Sequence, residues 1–450
     1  MSKARLTPAA QAARLGTDPL GPLLWRSASQ TTASVATYGV YALTNAWFVA
    51  WGVGPTALAA VNLVTPVLLL LGAVATTVGV GGASLVSRAL GAGRVPDAAR
   101  ATGNAFVVFW SVAITVTVFG LIFTEPILDV LGAHGEIRDD ARAYYQILVS
   151  GAIFSTGFST LVRAEGRMFF STMLWMTAVG VQIVLDPIFI FGLDLGIRGA
   201  ALGTVGGQFV SACMCWWFFF IQKNRPYRIG FAALRPRLTT LKQLVTLGAP
   251  SFLAGFGATI LAVVLNNQLM DGGGALVLAA YAVGARVQTF MIMPQTGISQ
   301  GMQPIIGYNH GLRRQDRVTG ALRLSLVSSL AYSVVAAAVI AALAHPVAAL
   351  FLKEPEEIDL AARALRILCV GIAVSGVVPL VAAYYQSIGQ PKPAYLLAVG
   401  TLLAIKLPLV LIVAQVSHAD PTSLWWAIAA GEIGGAAVAG GALWYAKRRT

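Results

Sequence analysis

Twelve runs of about 20 mostly apolar residues follow one another along the chain, and they constrain its fold more than any other feature. A helix of this length spans the hydrocarbon core of a bilayer, where every backbone polar group must be bonded internally. Charged residues make up only 11% of the 450 residues, against roughly 25% in soluble proteins. The sequence therefore predicts membrane-spanning helices at 28–50, 57–80, 103–123, 144–163, 170–192, 199–221, 246–268, 277–300, 322–343, 364–385, 393–415 and 424–445.

The basic residues are distributed unevenly between the two predicted sides of the membrane. The chain has 31 Lys and Arg against 18 Asp and Glu, a net charge of +13. Most of the basic residues lie before the first run, after the last run, or after even-numbered runs. Because Lys and Arg concentrate in cytoplasmic segments, this pattern predicts a multi-pass protein of the cell membrane with both termini in the cytoplasm. It predicts contact with membrane lipid and no nucleic-acid partner.

Short motifs recur at matching places in the two halves of the chain. The triplet LAA at Leu58–Ala60, where the second run begins, returns at Leu278–Ala280, where the eighth begins. Parallel repeats of this kind are typical of secondary transporters, whose substrate path lies between the repeats. The predicted fold is an all-α polytopic membrane protein with twelve transmembrane helices in two six-helix pseudo-symmetric lobes, residues 1–235 and 236–450.

Asp186 is a carboxylate inside the fifth apolar run, and Pro187 follows it. A charged side chain at membrane depth costs at least about 2.5 kcal/mol and indicates a functional site. Gln182 lies four residues earlier and shares a helix face with Asp186. Pro187 has no N–H, which leaves the carbonyl of Ile183 without its helical bond. The alternative is that Asp186 only orients the connection between the fifth and sixth helices.

Asn45 and Thr204 lie at a depth similar to that of Asp186 in the first and sixth runs. With Gln182 they predict a site of several oxygens and one negative charge that binds a proton or a cation. Burial disfavours the charged form of a carboxylate, so a lone Asp186 favours H⁺ over Na⁺ as the coupling ion. Both ions stay open at this point.

The second half of the chain carries a different set of polar residues inside its runs. Arg286, Lys406 and Glu432 lie at matched depth and predict a buried ion pair or triad, which either holds the lobe together or forms a second titrating site. Five more residues are candidates for lining a substrate cavity: Asn266, Asn267, Gln288, Met291 and Gln295. The alternative for the four amides is that they bond to backbone groups near kinks, and the alternative for Met291 is ordinary core packing.

The motifs beside these residues resemble those of the multidrug and toxic-compound extrusion (MATE) family of secondary transporters over nearly the whole chain. The similarity is closest to the branch of bacterial DNA-damage-inducible and staphylococcal-type drug exporters. The motifs are GAGR at Gly91–Arg94, RAEG at Arg163–Gly166, LDPIFI at Leu185–Ile190, GAALGT at Gly199–Thr204 and QPIIGYN at Gln303–Asn309.

The resemblance implies twelve helices in two lobes and export of small cationic or amphipathic compounds, driven by inward H⁺ or Na⁺. In that branch the cation site of the first lobe uses an Asp, an Asn, an Asp and a Thr. By motif these positions fall on Asn45, Gln182, Asp186 and Thr204, so this chain has one carboxylate fewer. The acids that another branch carries on helices 7 and 10 are absent from the runs at 246–268 and 364–385.

Two other classes of function remain as alternatives. A flippase for lipid-linked oligosaccharides or peptidoglycan precursors would belong to the same superfamily, but it usually has extra helices and a strongly cationic cavity. A membrane-embedded enzyme is disfavoured because the chain lacks an HExxH motif and any His near the centre of a run. We therefore expect a transporter rather than an enzyme, monomeric, with no cofactor and no bound metal.

Overall fold

The computed structural model describes residues 8–154, 158–416 and 421–449, and within these ranges the chain is helical and contains no strand. We number the long helices α1 to α12. The first six are α1 (Leu20–Gly52), α2 (Pro55–Gly91), α3 (Val95–Ile122), α4 (Ile137–Ser150), α5 (Met168–Pro187) and α6 (Gly196–Trp216). A 3₁₀ turn, Gly151–Phe154, continues α4 and is followed by Ser159–Ala164, and π-helical turns extend α5 over Ile188–Gly192 and α6 over Trp217–Ile221.

The second half begins with one helical run of 74 residues, Leu238–Gly311. Gly274 interrupts it with φ 67° and ψ −167°, a conformation open almost only to glycine. We therefore treat the run as α7 (238–273) and α8 (275–311). The remaining long helices are α9 (Gln315–Ala342), α10 (Pro355–Ser375, continued by Val377–Ser387), α11 (Pro391–Tyr395 through Leu407–Val416, with π-helical turns Leu396–Gly400 and Leu402–Lys406) and α12 (Pro421–Arg449). The short helices are Pro8–Thr17, Thr124–Leu131, Phe231–Leu234 and Ala344–Ala349.

The described residues contain twelve helices of membrane-spanning length. Ten helical segments there are long and apolar enough to cross a membrane, and the 74-residue run is one of them although it supplies two spans. The twelfth, α1, has 33 residues but is more polar, since Ser27, Thr31 and Ser34 are buried along it. The predicted all-helical fold with twelve transmembrane helices is confirmed.

The chain divides into two compact units. Unit 1 contains the described residues up to Asp18, then Ala33–Ala249 and Gly307–Arg313. Unit 2 contains Pro19–Thr32, Pro250–Ile306 and the described residues from Arg314 onward. The predicted boundary between the two six-helix lobes lies between residues 235 and 236, where one sequence repeat ends and the next begins. This boundary stays a prediction.

Each unit has its own apolar core. In unit 1 the core includes Tyr144, Leu148 and Val64, all at most 4% exposed. In unit 2 it includes Trp425 and Leu365, both fully buried. Side chains from successive helices interdigitate in both cores, and this packing gives the site residues fixed positions.

Candidate functional site

Asp186 lies near the end of α5 and is fully buried in unit 1. The helix changes there from α to π geometry, because Pro187 is followed by the π-helical turn Ile188–Gly192. π-helical turns inside helices often mark functional sites. The backbone distortion expected beside Pro187 is therefore present next to the carboxylate.

The four residues predicted for a cation site lie together in unit 1. Gln182 Nε2 donates a hydrogen bond to Asp186 Oδ2 over 3.1 Å, and Asn45 Nδ2 approaches Thr204 Oγ1 at 3.5 Å. All four side chains are at most 5% exposed. Helices α1, α5 and α6 thus bring one carboxylate, two amides and one hydroxyl into one buried cluster.

Two acceptor oxygens in this cluster have no hydrogen-bond partner in the described part of the chain. They are Oδ1 of Asp186 and Oε1 of Gln182, and both atoms are buried. A buried acceptor without a partner costs about 1–3 kcal/mol, and more when it is charged. The cluster can therefore gain free energy by binding a proton on the carboxylate or a cation between the two oxygens.

Gly203 on α6 is required for this arrangement. A Cβ atom at this position would lie 2.0 Å from Asp186 Oδ1, far closer than van der Waals contact allows. Gly199 and Gly207 sit one turn away on either side, and Cβ atoms there would also meet the backbone of the preceding segment. Gly203 is not among the residues that the sequence predicts for the site. The spacing of four between these glycines, typical of close helix packing, is the signal that indicates it.

Two tyrosines complete the surroundings and were not among the predicted residues. Tyr41 and Tyr144 lie against Thr204 and within electrostatic range of Asp186. Tyr41 is one turn before Asn45 on α1, so its spacing places it on the same helix face. Tyr144 comes from α4, and no local sequence pattern connects it to α5 or α6.

In unit 2, two of the three predicted charged residues lie together. Lys406 Nζ and Glu432 Oε1 are 2.5 Å apart. Arg286 has no ion pair within the described residues; its guanidinium lies 5.8 Å from the centre of the Phe351 ring. The structure therefore contains a pair and not a triad.

The five residues predicted for a substrate cavity have different environments in unit 2. Gln295 is buried and donates to Ser333 over 2.7 Å and to Ser375 over 3.3 Å. Met291 is packed in the apolar core. Asn266 and Asn267 are exposed on α7, and Gln288 is half-buried. A substrate-binding role for these residues stays a prediction.

Comparison with known proteins connects this architecture to transporters. A family model described as MatE matches residues 31–188 and 250–412. A multidrug export protein MepA from Staphylococcus haemolyticus is 26% identical over 369 residues, which cover 81% of each chain. MepA from Staphylococcus aureus is 26% identical over 366 residues, or 80% of each chain.

Solved structures show the same fold. A crystal structure of a MATE protein in a bent conformation superimposes with a TM-score of 0.90 at 25% identity, covering 97% of each chain. A transporter of the MOP superfamily from Pyrococcus furiosus superimposes with a TM-score of 0.88 at 24% identity, again covering 97% of each chain.

Proposed function

This chain belongs to the MatE family, and we propose that it exports organic cations and other amphipathic drugs from the cell by antiport with H⁺ or Na⁺. Multidrug export is the activity that the names of the two staphylococcal relatives give. The observation that supports coupling to an ion is the buried Asp186 carboxylate with its unpartnered Oδ1.

The chemistry of the cluster favours a proton over a sodium ion. A proton needs a single acceptor atom, and Asp186 Oδ1 is one. A sodium ion needs several oxygens at once, and this cluster has only one carboxylate to balance its charge. Binding H⁺ makes the site neutral, which removes the cost of a buried charge at membrane depth. Releasing H⁺ restores the negative charge to which an organic cation is attracted.

Coupling follows if the site opens alternately toward the two sides of the membrane. On the outer side Asp186 takes up H⁺ and loses its attraction for the cationic substrate. On the inner side it releases H⁺ and regains that attraction. Because one charge serves both ligands, binding of one weakens binding of the other, as antiport requires.

The test uses purified protein in proteoliposomes with ethidium as the substrate and a pH gradient or a Na⁺ gradient imposed separately. We expect uptake driven by the pH gradient in the wild type and at least a tenfold loss in Asp186→Asn. Asp139→Asn is the matched control, since Asp139 is exposed and lies in the first turn of α4. Full gradient-driven transport by Asp186→Asn contradicts the role of Asp186. If neither the pH gradient nor the Na⁺ gradient drives ethidium uptake by the wild type, coupled export is contradicted.

A further inference from the structure

The Lys406–Glu432 pair lies at mid-depth of the spanning helices in unit 2. Lys406 is ten residues before the end of α11 at Val416, and Glu432 is eleven residues after the start of α12 at Pro421. At 1.5 Å per residue both lie about 15 Å from these helix ends. A bilayer has a hydrocarbon core about 30 Å thick. The pair is therefore far from bulk water on both sides.

The pair leaves most of its hydrogen-bonding capacity unused. The ammonium group of Lys406 has three donors, and an ionised Glu432 accepts about four hydrogen bonds. Within the described residues each charged group has one hydrogen-bond partner, and that partner is the other member of the pair. A buried ion pair offsets its desolvation only when further hydrogen bonds satisfy the remaining donors and acceptors. Lys406 and Glu432 lack these further hydrogen bonds, so a purely structural role explains the pair poorly.

The side chains of both residues are partly exposed. The side chain of Lys406 is 20% exposed and that of Glu432 is 13% exposed. By contrast, the other strongly buried ion pair in the described chain is Arg225 with Glu165, whose side chains are at most 1% exposed. There Arg225 also donates a hydrogen bond to the carbonyl of Phe219. A ligand that reaches the surface of unit 2 can therefore contact Lys406 and Glu432.

The local backbone holds Lys406 in an uncommon geometry. Lys406 is the last residue of the π-helical turn Leu402–Lys406. One residue separates this turn from the preceding π-helical turn, Leu396–Gly400. On α12, Gly431 and Gly435 lie beside the lysine stem, and a Cβ at Gly431 would lie 3.3 Å from Lys406 Cγ. The glycines leave space around the stem, and the wide turn sets the direction from which the ammonium group reaches Glu432.

We propose that Lys406 and Glu432 bind the zwitterionic head group of amphipathic substrates, with the ligand's anionic group on Lys406 and its cationic group on Glu432. This inference rests on the proposed function, since it names a class of exported compound. The site itself is separate from the Asp186 cluster, which lies in unit 1.

Charge balance selects this class of ligand. A simple organic cation on Glu432 would compete with Lys406 and leave an unpaired ammonium group at membrane depth. A simple anion on Lys406 would leave an unpaired carboxylate. An unpaired charge is strongly unfavourable at that depth. A ligand with both charges bonds to both residues and keeps the site neutral.

The test compares two forms of one dye: rhodamine 123, a cation whose carboxyl group is a methyl ester, and its free acid, a zwitterion. Equilibrium binding of each form to purified full-length protein is measured by fluorescence polarisation without any ion gradient. We expect the wild type to bind the free acid at least tenfold more tightly than the ester. The double variant Lys406→Gln/Glu432→Gln keeps a hydrogen-bonding pair of similar size without charge, and we expect it to lose this preference.

The exposed Lys392 on the same helix provides the control variant Lys392→Gln, which is expected to keep the preference. Thermal unfolding of each variant in detergent separates loss of binding from loss of fold. A wild type that binds the free acid no better than the ester overturns the assignment, and so does a folded double-Gln variant that retains the preference. Because no gradient is applied, these outcomes are independent of whether export is coupled to H⁺ or Na⁺.

Discussion

At the scale of single residues, the position of the Asp186 carboxylate depends on a missing side chain. Gly203 lies so close to Asp186 Oδ1 that a Cβ atom at this position must displace the carboxylate from its hydrogen bond with Gln182. The glycine therefore determines the geometry of the proposed ion site as much as its polar residues do. This dependence is testable because α6 offers a second glycine with a different neighbour.

We predict that Gly203→Ala reduces gradient-driven ethidium transport at least tenfold. Overpacking of this kind costs about 1–3 kcal/mol, so the free energy of unfolding should fall by that amount as well. Gly206→Ala is the control: its Cβ would meet only the Leu185 Cδ1 atom at 2.6 Å, and that flexible methyl group can move. Transport and thermal unfolding are measured on both variants. Equal activity of the two would contradict the positioning role of Gly203.

The charge of the cluster is also set by one residue, Asn45. Asn45→Asp would place a second carboxylate near Asp186, and two neighbouring carboxylates favour a bound cation over two separate negative charges. We predict that Na⁺-driven ethidium uptake appears or rises about tenfold in this variant, which corresponds to about 1.4 kcal/mol of added binding free energy. The matched control is Asn45→Leu, which adds no charge. If Asn45→Asp responds to Na⁺ no better than wild type, the amide at this position does not set the choice of ion.

At the scale of elements, the segment between α6 and α7 is held firmly on unit 1. The Arg225 side chain is buried against the Glu165 carboxylate, with Nε donating to Oε2 over 3.3 Å. It also donates to the Phe219 carbonyl over 2.8 Å. Burial alone would lower the pKa of Arg225, but Glu165 and Tyr227 outweigh this effect and raise the pKa, so the guanidinium stays charged.

A second anchor lies further along the same segment. Asn104 on α3 is fully buried, donates to the carbonyls of Ala233 and Arg235, and accepts from the N–H of Arg237. Its amide therefore replaces the backbone partners that an irregular segment lacks. The RAEG motif at Arg163–Gly166 is explained by the first anchor, since its Glu165 receives the guanidinium of Arg225.

Removing one partner of this ion pair should be far more harmful than removing both. We predict that Glu165→Gln lowers the free energy of unfolding by about 3–5 kcal/mol, because it leaves a buried charge without its partner. The double variant Glu165→Gln/Arg225→Met removes both charges and should recover most of that loss. Thermal unfolding in detergent of the wild type, both single variants and the double variant gives the coupling between them. Additive effects would show that Glu165 and Arg225 act independently.

The elements were largely predictable, because the length of an apolar run directly reports a spanning helix. Eleven of the predicted runs lie within the described residues and correspond to helices. The run at 144–163 crosses residues 155–157, which lie outside the described part of the chain, and it is helical on both sides of them. The helix limits differ from the predicted ones where buried polar residues lower the hydropathy. Helix α1 begins at Leu20 and not at residue 28, since its buried serines and threonines lower the local hydropathy without ending the helix. Between α7 and α8 there is a kink at Gly274 rather than a loop. The short helix Pro8–Thr17 has no spanning run to reveal it.

The cluster around Asp186 was predictable only in part, and the reason is again physical. Gln182 follows from helical spacing, and Asn45 and Thr204 from membrane depth. Tyr144 depends on how α4 packs against the other helices, which a single sequence does not determine. For the same reason depth alone grouped Arg286 with Lys406 and Glu432, whereas its guanidinium lies over Phe351.

At the scale of the whole molecule, the distribution of charge makes a prediction about orientation. An even number of spans places both termini on one side, and the basic residues in the even-numbered connections favour the cytoplasm for that side. The connection between α8 and α9, which carries Arg313 and Arg314 and is followed by Arg317 in the first turn of α9, is then cytoplasmic. The connection between α9 and α10 is then outside. Orientation decides which ends of the helices face the cytoplasm, and it can be tested by labelling.

We predict that a membrane-impermeant maleimide labels Glu354→Cys on intact cells and labels Gln315→Cys only after the membrane is permeabilised. Both positions are exposed; Gln315 is the first residue of α9 and Glu354 lies directly before α10, so the spanning helix α9 separates them and each serves as the control for the other. The background is a variant in which the three native cysteines, Cys213, Cys215 and Cys369, are replaced by serine. The reverse labelling pattern would place the termini outside. The direction of antiport would not change, because an inward H⁺ gradient drives substrate outward in either orientation of the protein.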